Sequence, residues 1–174
     1  MCWEILIEEH RRKIRQISFS ILVWGPSQAD EEGHNLRLKI RDYLNSIGHD
    51  AKFSEELIAE CREEALKSII QEEVLHAHTA NLIVVLYGSR GTQTEFDRIL
   101  ANDSVAIKSI VFVEKDKWES ILLSVSRDVW KNFVGKKIIV PNDCFNADYI
   151  CKELKSFIEY LQAAEYISRL KLIH

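Results

Sequence analysis

The sequence has no long apolar segment and no closely spaced cysteines. No apolar run approaches the roughly 20 residues that a membrane-spanning helix needs. The N-terminal stretch carries acids within its apolar part and bases after it, an order that does not fit a secretory signal. The four cysteines show no CxxC spacing, which indicates free thiols in a reducing compartment. We therefore expect a cytoplasmic protein that has no membrane partner.

Several common functional motifs are also missing. The sequence contains no GxSxG, no Walker A motif and no GxGxxG, which argues against an α/β-hydrolase, a P-loop NTPase and a Rossmann dehydrogenase. His76 and His78 are two residues apart with no second ligand cluster, so no metal site is expected. The formal net charge is -4 and the basic residues are dispersed, which does not favour nucleic acid as a partner.

What is present is an alternation of apolar runs and helical patterns. The length of 174 residues fits an N-terminal helix within residues 1–16 and a single α/β domain over residues 17–174. Hydrophobic residues at 47% and charged residues at 29% are typical of a globular chain. Strands are predicted at 17–24, 50–53, 82–87, 107–113 and 137–140. Helices are predicted at 3–15, 35–47, from 54 onward, at 94–101, 118–130 and 146–172.

This alternation predicts a flavodoxin-like three-layer α/β sandwich, with a five-stranded parallel sheet and helices on both faces. Right-handed crossovers favour the strand order 2-1-3-4-5. In that order the first and third strands are neighbours. Their carboxyl ends, 24–27 and 87–90, should therefore form one pocket.

The stretch NLIVVLYGSRGTQTEFDRI, residues 81–99, carries the strongest functional signal. Its apolar run stops at Gly88, small residues follow, and Glu95 lies in or near the first turn of a predicted helix. A carboxylate there can bind ribose hydroxyls or stabilise positive charge at an anomeric carbon. The alternative is that Glu95 only stabilises the helix N-terminus. Arg90 either pairs with a phosphate or is an exposed loop charge.

The loops around these positions supply the predicted substrate contacts. Gly25, Pro26 and Ser27 form either a loop that approaches the substrate closely or a plain turn. Trp24 either stacks on a base or packs in the core. The remaining substrate-binding candidates follow the third strand, and they are Gly88, Ser89, Arg90 and Thr92.

Three short segments resemble known families. The segment LVWGPSQ, 22–28, is similar to the first-strand GP signature of nucleoside 2-deoxyribosyltransferases. The segment ANLIVVLYGSRGTQTEF, 80–96, resembles their third-strand segment, which ends in a catalytic Glu. The same layout occurs in Toll/interleukin-1 receptor (TIR) domains, and SIGHDAKFSEEL, 46–57, is similar to the TIR passage from a helix into the second strand.

The chain departs from both patterns. EFDRIL stands where the transferases have a Gly after the Glu turn, and residues 91–94 replace the TIR Ser-Trp-Cys box. We therefore place the chain in the joint TIR/deoxyribosyltransferase-like group. The resemblance implies a flavodoxin-like fold and N-glycosidic chemistry on nucleotides, with Glu95 catalytic, NAD as substrate and no cofactor.

The resemblance leaves three functions open. The first is an NAD glycohydrolase or cyclase, of the kind that serves microbial immune defence. The second is a deoxyribosyltransferase-like enzyme that acts on nucleosides or nucleotides. The third is a non-catalytic TIR-like module that binds a partner effector protein or a nucleotide signal.

Apolar residues near both ends of the chain predict a homo-oligomer. The first helix begins with the apolar stretch 3–7. The last helix carries apolar and aromatic residues beyond what one sheet face can cover: Tyr160, Tyr166, Ile167, Leu170 and Leu172.

Overall fold

The computed structural model describes residues 3–60, 75–88, 102–123 and 130–171, without the side chains of 58–60. The strands are β1 (Ser20–Trp24), β2 (Asp50–Lys52), β3 (Leu82–Tyr87), β4 (Ser109–Glu114) and β5 (Lys136–Val140). The helices are α1 (Trp3–Arg15), α2 (Glu31–Ser46), α3 (Ser54–Glu60), α4 (Asp103–Ala106), α5 (Lys115–Leu122) and α6 (Ala147–Lys171). Residues 75–79 are also helical, and Asn142–Cys144 form a short 3-10 helix.

The strands form one parallel sheet in the order β2-β1-β3-β4-β5. The predicted strand order and three-layer α/β architecture are confirmed. In the register of the central strands, Val23 of β1 lies opposite Val84 of β3, and Val85 of β3 lies opposite Val111 of β4. The carboxyl ends of β1 and β3 are therefore adjacent at one edge of the sheet.

The central strand β3 explains why both faces of the sheet are covered. All six of its residues are buried. Leu82, Val84 and Leu86 join the core cluster that α2 and α6 cover, whereas the alternate residues of β3 join the cluster on the other face. Side chains of a strand alternate between faces, so an unbroken apolar run requires a layer of helices on each side.

Some element boundaries differ from the sequence-based expectation. The prediction began the second helix at residue 35, but α2 begins at Glu31 because Asp30 caps it: its Oδ1 accepts a hydrogen bond from Gly33 N at 3.0 Å. The prediction began the fourth strand at 107, but residues 103–106 form α4 and β4 starts at Ser109. The helix predicted at 94–101 lies outside the described residues.

Helix α1 packs against the C-terminal half of α6. His10 Nδ1 lies 2.6 Å from the hydroxyl of Tyr166, and the buried amide of Gln162 donates to the carbonyl of Ile17 at 2.7 Å. Within the described part of the chain, no helix has the length and apolar character needed to cross a bilayer. Of the four cysteines, Cys144 and Cys151 are described, and both are half-buried free thiols.

Candidate functional site

A cavity of about 470 Å³ opens at the carboxyl edge of the sheet. The loop after β1 contributes Pro26, the first turns of α2 contribute Gly33, and Gly88 directly follows β3. Glu114 and Lys117 come from the junction of β4 and α5. The volume lies within the range of about 300–1,000 Å³ that is usual for small-molecule sites. The cavity lies at the edge where parallel α/β sheets bind ligands.

The structure brings together parts of both predicted loops. Pro26 and Gly88 line the same cavity although they are far apart in sequence. Gly25 marks a close approach, because a Cβ there would lie 3.2 Å from Leu86 Cβ and 3.5 Å from Arg37 Cδ. Ser27 is exposed, and its carbonyl accepts a hydrogen bond from Asp30 N at 3.0 Å in the turn that leads into α2.

The sequence left two roles open for Trp24, stacking on a base or packing in the core, and the structure shows that it packs in the core. Its side chain is 2% exposed and belongs to the core cluster on the face opposite α2. Its indole Nε1 donates a hydrogen bond to Ser54 Oγ at the start of α3. The tryptophan therefore links the carboxyl end of β1 to α3.

The remaining predicted site residues lie outside the described residues. They are Ser89, Arg90, Thr92 and Glu95. Their participation in the site stays a prediction from sequence. Among the described residues, no group of three or more His, Cys, Asp or Glu side chains is placed to hold a metal ion.

Both signs of charge occur at the cavity wall. Asp30, Glu32 and Glu114 contribute carboxylates, and Lys39 and Lys117 contribute ammonium groups. Carboxylates accept hydrogen bonds from hydroxyls such as those of a ribose, whereas ammonium groups pair with phosphate. The wall therefore offers partners to both parts of a nucleotide.

Lys117 is placed close to the backbone that leaves β3. Its Nζ forms an ion pair with Glu114, and a Cβ at Gly88 would lie 3.2 Å from this Nζ. The lysine side chain is 42% exposed, so the ion pair remains in contact with solvent. Gly88 thus leaves room for an ammonium group directly above the end of the central strand.

The first turn of α2 reaches the cavity because residue 33 has no side chain. A Cβ on Gly33 would lie 2.6 Å from Pro26 Cβ and Cγ, and 2.9 Å from Asp30 Oδ2. Glycine therefore allows the helix to contact the proline ring directly. The N-terminal end of α2, which carries the positive end of the helix dipole, faces the cavity.

Arg37 stabilises the carboxyl end of β1 beside the cavity. The sequence did not predict a role for this residue. The residue is 2% exposed, its Nε and Nη2 donate to the carbonyl of Val23 at 3.1 and 2.9 Å, and its Nη1 and Nη2 reach the two carboxylate oxygens of Glu55 at 2.7 and 2.9 Å. The guanidinium also lies 4.0 Å from the centroid of the Phe53 ring. Arg37 thus joins β1, α2 and α3.

The sequence feature that could have identified Arg37 as a buried residue is its position on α2. Arg37, Ile40 and Leu44 are the buried residues of α2, with the i, i+3, i+7 spacing of a core-facing stripe. A buried charged residue in such a stripe needs hydrogen-bonding and oppositely charged partners. Burial raises the pKa of Glu55, but hydrogen bonds from Arg37 and its positive charge outweigh burial, so the pKa lies below its ordinary value.

No protein-family model matches the chain, and a search of curated proteins finds no similar sequence.

Proposed function

We propose that this protein cleaves or transfers an N-glycosidic bond in a nucleotide, with NAD as the substrate that fits best. The observation that carries the proposal is the cavity at the carboxyl ends of adjacent strands β1 and β3. Two of the three segments that resemble the TIR and deoxyribosyltransferase groups line its wall: 22–28 contributes Pro26, and 80–96 contributes Leu86 and Gly88. The resemblance supports the chemistry, and the cavity supplies a place for the substrate.

In this proposal the basic and acidic side chains of the cavity wall bind different parts of the substrate. Lys39 and Lys117 hold the diphosphate, and Asp30 accepts hydrogen bonds from ribose hydroxyls. Glu95, which follows Gly88 in the segment 80–96, stabilises the oxocarbenium-like charge or forms a covalent glycosyl intermediate. The N-glycosidic bond to nicotinamide breaks, the base leaves with the bonding electron pair, and water or a second nucleophile takes its place.

The proposed setting is a cytoplasmic defence enzyme that acts alone or with a partner effector protein. A single assay, incubation with NAD and with nucleosides, also distinguishes the two other functions that the sequence left open. Base exchange between nucleosides would identify a deoxyribosyltransferase-like enzyme. Binding of NAD without product, together with an unimpaired Glu95 variant, would identify a non-catalytic module.

The test compares two neighbouring acids. Purified wild-type protein, Glu95→Gln and Asp97→Asn are incubated with NAD and with a nucleoside panel, and products are separated by chromatography. If Glu95 stabilises the transition state, Glu95→Gln should lose about 10²–10⁴-fold in rate and keep its melting temperature. Asp97→Asn, two residues away on another side of the predicted helix, should keep wild-type activity.

The opposite pair of results would contradict the site assignment. If Glu95 only stabilises a helix N-terminus, Glu95→Gln should lose about 0.3–1 kcal/mol of stability and keep its activity. Equal losses in both variants would also contradict it, because a general loss of negative charge would then explain the effect.

A further inference from the structure

The helices α1 and α6 present an apolar surface away from the sheet. Helix α1 has no buried residue, and Trp3 and Ile7 are 76% and 46% exposed. On α6, Tyr160, Ile167 and Leu170 are 68%, 52% and 40% exposed. These side chains lie outside both core clusters of the domain.

The exposed side chains share one side of the helix pair. The contacts of His10 with Tyr166 and of Ile17 with Gln162 show that α1 and α6 run antiparallel. With about 3.6 residues per turn, Ile7 of α1 and Ile167 of α6 then point to the same side of the pair. Two helices cannot enclose an apolar face by themselves, whereas four helices can.

A stripe of charges borders this apolar face. Glu4, Glu8, Arg11 and Arg15 follow one another at spacings of four, three and four residues, so they lie along one side of α1. Within the chain, Glu8 lies 3.7 Å from Arg11 and 3.6 Å from Arg15. These three side chains are 61%, 63% and 70% exposed, so their ion pairs remain open to solvent.

The stripe is complementary to itself when reversed. Its centre lies between positions 9 and 10, and acids on one side of the centre match bases at equal distance on the other. An antiparallel copy of α1 would therefore place Glu8 opposite Arg11 and Glu4 opposite Arg15, and a two-fold axis would form each pair twice. Such self-complementarity is the requirement of an isologous interface.

We propose that a second copy of this chain docks on this surface, with α1 antiparallel to its counterpart and the two α1–α6 pairs enclosing their apolar faces in a four-helix arrangement. The charge pattern selects a second copy over an unrelated protein, because an unrelated partner would have to carry the reversed pattern itself. The surface lies at the amino edge of the sheet, where β1 begins, and the candidate site lies at the carboxyl edge. The inference therefore does not depend on the proposed function.

The test is a charge reversal with rescue, measured by sedimentation equilibrium on the full chain. Glu8→Arg and Arg11→Glu should each raise the dimer dissociation constant by about tenfold or more, because each places like charges together twice. The double variant Glu8→Arg/Arg11→Glu restores both intermolecular pairs between positions 8 and 11 in the opposite sense and should return the constant close to wild type. Circular dichroism reports whether each variant keeps its helices.

Apolar substitutions provide the matched control. Ile7→Glu combined with Ile167→Glu should give a monomer, whereas Ile107→Glu should leave the dimer intact, since Ile107 is 72% exposed at a different place, beside α4. A wild-type monomer at about 100 μM would overturn the proposal, because a specific interface should hold at that concentration. Failure of the double charge reversal to restore dimers would overturn the antiparallel arrangement of α1.

Discussion

At the scale of single residues, the buried charge of Arg37 lies beside the cavity rather than in its wall. Arg37 satisfies a carbonyl at the end of β1 and pairs with Glu55 in a bidentate arrangement. Four hydrogen bonds that one buried guanidinium donates fix the positions of three elements relative to one another. The candidate site depends on this support, because Gly25 and Pro26 continue directly from the strand that Arg37 holds.

Replacing Arg37 should therefore cost more than replacing a similar arginine nearby. Arg37→Met keeps much of the aliphatic volume but leaves Val23 O without these two donors, so we expect a loss of about 1–3 kcal/mol in the free energy of unfolding. Arg41→Met is the matched control, since Arg41 also lies over the Phe53 ring and pairs with acids, but its side chain is 21% exposed whereas that of Arg37 is 3% exposed. It should lose about 0–1 kcal/mol. Urea denaturation measures both, and equal losses would contradict the special role of Arg37.

At the scale of elements, the sequence predicted the interiors of helices and strands better than their ends. The bounds of α1 and β3 agree with the prediction, because both patterns are strong and end sharply. The start of α2 was misplaced because Gly33 reads as a loop residue. The reason for that glycine is a contact with Pro26, seven residues earlier in the chain, and helical periodicity carries no information about such a contact.

In the first turn of α2, we expect the substitution of Gly33 by Ala to change stability in the direction opposite to the usual one. Replacing a helical Gly by Ala ordinarily stabilises a helix by about 1 kcal/mol. Gly33→Ala should instead destabilise the protein by about 1–3 kcal/mol, since its Cβ would meet the rigid Pro26 ring at 2.6 Å. Asn35→Ala, at an exposed position of the same helix, should not lower the melting temperature. A higher melting temperature for Gly33→Ala would show that the loop moves away without cost.

At the scale of the whole molecule, the topology could be predicted and the site only in part. Alternating patterns and right-handed crossovers leave few arrangements, and the order of the strands followed from them. That order was enough to bring Pro26 and Gly88 to one cavity. It could not show that the Trp24 side chain packs in the core. An aromatic residue at the end of a strand can pack in the core or stack on a ligand, and the packing of α3 decides between them.

Global stability should fall as the solution is acidified. His49 is buried, its Nδ1 accepts a hydrogen bond from Phe19 N at 3.2 Å, and burial lowers its pKa. The unfolded state then binds the proton first, so the stabilisation is complete above the unfolded pKa of about 6.5 and is lost as pH falls toward the lower folded pKa. The slope from this group should not exceed about 1.4 kcal/mol per pH unit.

The variant His49→Asn isolates this contribution. An asparagine side-chain oxygen can accept the same hydrogen bond but does not titrate, so the variant should lose less stability than wild type between about pH 7.5 and 5.5. Urea denaturation at several pH values measures the difference. Parallel pH profiles for the two proteins would assign the dependence to other groups.

The pairing of β1 with β3 also determines when this protein can fold. Asn81 accepts hydrogen bonds from the backbone N and the hydroxyl of Ser20, 61 residues earlier, and the central pairing of the sheet lies beyond this link. During synthesis, β1 and β2 can associate, but the opposite edge of β1 stays open until β3 has been made. Closing so long a loop is entropically costly and slows folding. The two halves of the cavity are therefore assembled in the same late step, and a chain that stops before β3 would display the edge of an apolar strand to its neighbours.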